Sequence, residues 1–139
     1  MTVSEAIITW LKTFNPADYW KMEHIDTDSM HGNVDYALVK EPVTNVKKFI
    51  SGTEIHTDHY QIRARLPAQT NSEAVENGAW FEALTEWISE QNKKKVFPEL
   101  QGFTAQEIGV STSFSSGKNT AGEALYTMTI FIKYMKKGV

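Results

Sequence analysis

The chain has 139 residues, 41% apolar and 22% charged, with a formal net charge of −3. That is enough for a single domain over 1–139 with one core, and it exerts no overall pull toward nucleic acid or anionic membrane. The absence of cysteine excludes disulfides, thiolate metal sites and a cysteine nucleophile.

Thr2 and Glu5 have the spacing of a capping box, and Val3, Ile7, Trp10, Leu11 and Phe14 follow at helical intervals. They predict a short amphipathic helix from about Val3 to Thr13, stopped by Asn15-Pro16. This opening segment has no basic flank before an apolar run, so it does not read as a signal peptide. No window approaches the roughly 18 unbroken apolar residues of a membrane span, and a soluble protein made in a cytoplasm is the expectation. Trp20, Met22 and His24 alternate with Tyr19, Lys21 and Glu23, which fits a short strand, and an edge position is one option for it; TDSMHGN reads as a turn. Val34, Tyr36 and Leu38 alternate into a further strand that Glu41-Pro42 should end.

Val43 to Ile50 and Ile55 to Leu66 are two strand-like runs joined by Ser51-Gly52, the pattern of a hairpin. Within the second run Tyr60, Ile62, Ala64 and Leu66 share one face, while Gln61, Arg63 and Arg65 share the other. The stretch from Ser72 to Gln91 then sets Trp80, Phe81, Leu84, Trp87 and Ile88 on one helical face. Thr70 and Glu73 have capping-box spacing before it, and Lys93, Lys94 and Lys95 follow, where positive charge suits the dipole. Ile108, Val110, Thr112 and Phe114 alternate in one strand, and Tyr126, Met128, Ile130, Ile132 and Tyr134 share a face of the last. The polar run between them, Ser115 to Gly122, reads as a mobile loop. The expected fold is α+β: a largely antiparallel sheet of four to six strands, two helices on one face, in the order α-β-β-β-α-β-β.

Few residues have the pattern of a reactive centre. His24, Asp26 and Asp28 with His31, and His56, Asp58 and His59, are of metal-ligand type. Each cluster puts two ligands on one strand face, whereas zinc needs three or four converging, so polar strand-end residues are the plainer reading. A small metal-dependent enzyme built on both clusters is the alternative if they meet in space. Asp26 and Asp28 lack the glycine and distant glutamate of a calcium loop. No G-x-S-x-G elbow is present, and Gly117-Lys118-Asn119-Thr120 lacks the upstream glycine of a phosphate loop. No cofactor is implied.

Charge is more informative. Glu73, Glu76, Glu82, Glu86 and Glu90 precede any basic residue of the long helix. Glu82, Glu86 and Glu90 form a like-charge column at i, i+4 spacing, which costs roughly a few tenths of a kcal/mol per pair in an isolated helix. Arg63 and Arg65 could answer that column, within the chain or from a neighbouring copy. The plain reading is a solvated acidic face; the sharper one is that the acidic helix face and a basic strand face are two sides of a heterologous contact. Lys118 and Asn119, at the loop tip, complete the candidate interface residues.

The segment Val46 to Gly52 (VKKFISG), the strand Tyr60-Gln61-Ile62-Arg63-Ala64-Arg65, the Trp80-Phe81…Trp87-Ile88 helix, Phe97-Pro98-Glu99-Leu100 and the aromatic last strand ending at Tyr134 occur in an order and spacing that resemble a known group. These are the small minor-capsid or tail-completion proteins of tailed bacteriophages and prophages, especially long-tailed phages of Gram-positive hosts. The likeness runs roughly from Asn33 to Lys136. Some relatives of this kind carry a chloramphenicol-resistance label, but that acetyl transfer relies on an H-x-x-x-D-G segment, which none of the four histidines begins. The resemblance implies a non-enzymatic virion structural protein, similar to tail terminators that form a ring, commonly hexameric, on the tail tube and meet the head connector. Its implied partners are copies of itself, tail-tube protein and head-connector protein, with no membrane. With no long basic tail, direct nucleic-acid binding is not expected. Its implied place is the virion, and the host bacterial cytoplasm during assembly.

Overall fold

The computed structural model describes residues 2–14, 25–27, 35–67, 70–118 and 123–137. Helix α1 covers Val3–Leu11, and its first turn is closed by the Thr2 hydroxyl accepting from the Glu5 amide at 3.1 Å. Strand β1 (Ile25–Thr27) is followed by β2 (Asp35–Lys48) and β3 (Glu54–Pro67), then helix α2 (Asn71–Lys94), then β4 (Thr104–Lys118) and β5 (Glu123–Lys136). The five strands form one sheet in the order β1-β2-β3-β5-β4. Every pairing is antiparallel except the short parallel one of β1 with β2. This is the expected α+β architecture and element order.

Strand alternation decides which face is covered. Tyr60, Ile62, Ala64 and Leu66 of β3 are buried, as are Tyr126, Met128, Ile130, Ile132 and Tyr134 of β5. They form one cluster with Ile7, Trp10 and Leu11 of α1 and with Trp80, Phe81, Leu84 and Ile88 of α2. Both helices therefore lie on the same sheet face. Aromatic contacts join the layers: Trp80 stacks on Tyr36 at 5.3 Å between centroids and Phe81 on Tyr126 at 5.1 Å. Trp10 and Trp87 join the two helices at 4.6 Å. Trp87 is only half-buried, at the margin of the face the sequence assigned to it. The Trp10 indole N–H also donates to the Val96 carbonyl at 2.9 Å, tying α1 to the segment that leaves α2.

Two boundaries differ from expectation. Pro42 does not end a strand: β2 runs through it, and the register shifts between Lys40, opposite Tyr60, and Thr44, opposite Asp58. Proline cannot donate to a ladder, and a bulge is where its missing N–H costs nothing. The two expected runs are thus one strand. Ser115 to Lys118 belongs to β4, because Thr127 to Ala124 of β5 pair with it; the rest of the expected loop, residues 119–122, lies outside the described residues. The expected first strand around Trp20 to His24 also lies outside them.

The ends of α2 are built as its flanks suggested. Thr70 and Glu73 form a reciprocal capping box. At the other end Lys95 adopts a left-handed conformation, φ 58°, while the Val96 amide reaches back to the Gln91 carbonyl at 2.9 Å. Glycine reaches that conformation without the Cβ conflict. Lys95→Gly is therefore expected to raise unfolding stability by about 0.5–1 kcal/mol, read as a higher denaturant midpoint at an unchanged slope.

Candidate functional site

The charged faces singled out in the sequence lie on different layers. Glu82, Glu86 and Glu90 are exposed, on the side of α2 turned away from the core. Arg63 and Arg65 have odd parity on β3, so they stand on the sheet face opposite the helices, both half-buried. The Arg63 guanidinium donates twice to the Gln61 Oε1, from Nε at 3.0 Å and Nη2 at 2.8 Å. The sheet lies between the arginines and the glutamate column, so the two cannot answer each other within one chain. Glu90 instead has Lys94 at 3.6 Å, one turn on. Lys118 ends β4, and Asn119 lies outside the described residues.

Phe131 lies across Gly109 of the neighbouring strand, where an added Cβ would come within 2.9 Å of the ring. His59 approaches the same phenyl ring, with centroids 6.4 Å apart.

The histidine and aspartate clusters divide in the same way. His24, Asp28 and His31 lie outside the described residues, and Asp26 pairs with Ala37 through the parallel β1–β2 ladder. His56 and Asp58 share the inner face of β3, while His59 faces outward, as strand alternation requires. Among the described residues, no three His, Asp or Glu side chains come together as a metal site would need. His56 stacks on Tyr134 at 5.2 Å, nearly parallel, and its Nε2 lies 2.9 Å from the Glu54 Oε1. That hydrogen bond holds the Glu54 carboxyl below its ordinary range, with Lys48 and Lys136 acting in the same direction.

Asp58 has a different role from the one its sequence neighbours suggest. It is buried, at 1% exposure. Its carboxyl accepts from the Tyr134 hydroxyl at 2.8 Å and from the Thr44 hydroxyl, and Lys40 Nζ stands 3.9 Å away. Lys40 and Thr44 flank the β2 bulge, so the carboxyl clasps both sides of the irregularity that Pro42 occupies. Burial first, then the bond to Asp58, pushes the Tyr134 hydroxyl pKa well up. Burial also raises that of Tyr60, against a hydrogen bond with Ser4 that lowers it. Both phenols are held neutral: this is a structural polar cluster, with Asp58 bracing the bulge. Its sequence signal was parity, since position 58 shares the face of Tyr60 and Ile62.

A groove between α1 and the segment after α2 is lined by Ala6, Trp10, Val96, Phe97 and Pro98, with Glu99 at its edge. Among the described residues, no helix is long and apolar enough to cross a membrane.

The segment Val46 to Gly52 also forms an exposed surface that its sequence reading did not include. The turn between β2 and β3 presents Phe49 and Ile50 to solvent, 42% and 108% exposed. The signal was the apolar pair itself, placed where a hairpin turn normally carries polar residues. No protein-family model matches the chain, and no curated protein matches it.

Proposed function

We propose that this chain is a bacteriophage or prophage virion protein of the minor-capsid or tail-completion type, working at the head–tail joint or tail end as a homo-oligomeric ring. Its role on this reading is structural: it offers surfaces for neighbours to grip and performs no reaction. The observation that carries the reading is the separation of charge between layers. An acidic helix face and a basic sheet face that cannot meet within one chain suit a contact in which one surface of a copy meets a different surface of the next, and such contacts close into rings when the rotation allows. The ordered resemblance, running roughly from Asn33 to Lys136, supplies the particular setting, with tail-tube and head-connector proteins as partners.

Co-assembly tests this directly. Purified chain mixed with a tail-tube protein from the same phage or prophage should cap the tubes at one end, visible by negative-stain microscopy, and halt their elongation. Tubes that grow to the same lengths with and without the chain, and carry none of it, would count against a tail-end role.

A further inference from the structure

The β2–β3 turn is an ordered projection with an apolar point. The Phe49 amide donates to the Thr53 carbonyl, and the Gly52 amide to the Phe49 carbonyl, both at 2.9 Å. Gly52 takes φ 87°, a conformation that few other residues adopt without strain. Ile50 therefore has a defined place, yet it is fully exposed beside a Phe49 that is 42% exposed. The surroundings are basic. Lys47 Nζ stands 5.5 Å from the centre of the Phe49 ring, and Lys48 and Lys136 both act on Glu54 at the base of the turn.

The complementary surface is the outer side of α2. Val75, Ala79, Glu82 and Glu86 follow at i, i+4, i+7 and i+11, one stripe of the helix. Val75 is 71% exposed; exposed Glu76 is its neighbour in sequence, and exposed Glu82 and Glu86 follow about two and three turns along the same stripe. An apolar point flanked by lysines thus has a counterpart in an apolar spot that continues along the helix into a row of glutamates.

The two surfaces lie at opposite ends of the molecule. β3 leads away from the turn for 14 residues, about 45 Å at ~3.3 Å per residue, and α2 then runs back. The contacts along α2 confirm the direction. Phe81 stacks on Tyr126, level with Ala64, whereas the Asn92 Oδ1 accepts from the Ile108 amide, level with Asp58. Val75 lies before Phe81 and so still farther from the turn.

We propose that the β2–β3 tip of one copy docks on the acidic outer face of α2 in a second copy, joining chains head to tail. This deepens the ring reading and rests on it: Lys47 and Lys48 are the principal basic partners of the glutamate column, and Phe49 and Ile50 the apolar partners of Val75 and Ala79. Arg63 already spends two donors on Gln61, whereas Lys47 and Lys48 are exposed. A tip of two large side chains covers far less than the roughly 800 Å² per partner of a stable pairwise interface. Each joint is therefore weak alone, and assembly gains strength when closure makes the last joint intramolecular.

Charge swapping tests the proposal. Self-association, followed by sedimentation at low salt, should weaken at least tenfold in Lys47→Glu/Lys48→Glu, and to a similar degree in Glu82→Lys/Glu86→Lys. Combining all four substitutions in one chain should restore it. Because the chain has no cysteine of its own, Ile50→Cys mixed with Ala79→Cys should give one defined product with a short bis-maleimide. Assembly that survives Lys47→Glu/Lys48→Glu but fails in Glu82→Lys/Glu86→Lys, with no such cross-link, overturns the tip contact and leaves the ring reading standing; assembly that survives both variants overturns the tip contact and the charge pairing behind the ring as well. A wild-type chain that stays monomeric, alone and with tail-tube protein, overturns both. Tip variants that assemble normally but lose binding to vesicles of anionic phospholipid would reassign the tip to a membrane surface and overturn the proposal.

Discussion

Trp80→Ala should lower unfolding stability by about 3–5 kcal/mol, the range for removing a large aromatic side chain from a core. Trp80 is completely buried. Its ring stacks on Tyr36 at 5.3 Å and meets Phe81 edge-on at 4.7 Å and Phe14 at 5.8 Å. Those contacts join α2 to β2 and to the end of α1, so the cavity left behind would sit where three elements converge. Side chains held on three sides cannot collapse inward freely, which places the cost toward the upper end of the range. Glu86→Ala, on the exposed side of the same helix, should stay within about 0.5 kcal/mol. Denaturant melts of the two variants make the comparison; near-equal effects would mean that α2 does not pack as described.

Asp58→Ala should cost about 1–3 kcal/mol, because it strands the buried Tyr134 hydroxyl without its acceptor, whereas the exposed Thr44 hydroxyl keeps the Thr57 carbonyl. Asp58→Asn keeps the shape and an acceptor oxygen, and should cost markedly less. The cluster also sets an alkaline limit. Tyr60 and Tyr134 have folded-state pKa values raised above the ordinary tyrosine value. The fold therefore favours the neutral phenols: their contribution is complete below about pH 10 and falls away as pH rises toward the folded-state values. Denaturant midpoints should be flat through neutral pH and decline above about pH 10, less steeply in Tyr134→Phe. A Tyr134→Phe midpoint that tracks the wild type across the alkaline range would remove the cluster from that role.

Elements with a strong period were legible in the sequence. The apolar stripe of α2 and its Thr70–Glu73 box predicted the helix, and the parities of β3 and β5 predicted which residues face it. Less could be read where neighbours decide. Pro42 reads as a stop unless a bulge excuses its missing N–H, and the bulge depends on pairing with β3 and on the clasp from Asp58. Ser115 to Lys118 has little strand preference of its own and is held by β5. Asp58 looked like a ligand because its sequence neighbours are polar, although its burial follows from parity. The glutamate column was visible from spacing alone. What it faces was not, because the opposition of Arg63 and Arg65, and the distance to the Phe49–Ile50 tip, exist only once the chain is folded.

On the proposed reading, this body presents surfaces for copies of itself to grip. Native mass spectrometry over a hundredfold range of concentration at low salt tests it most directly. A single closed stoichiometry that grows with concentration and dissociates as salt is added is the expected result, since charge pairing across exposed faces is screened. A monomer at every concentration, unchanged by salt and by added tail-tube protein, would contradict it.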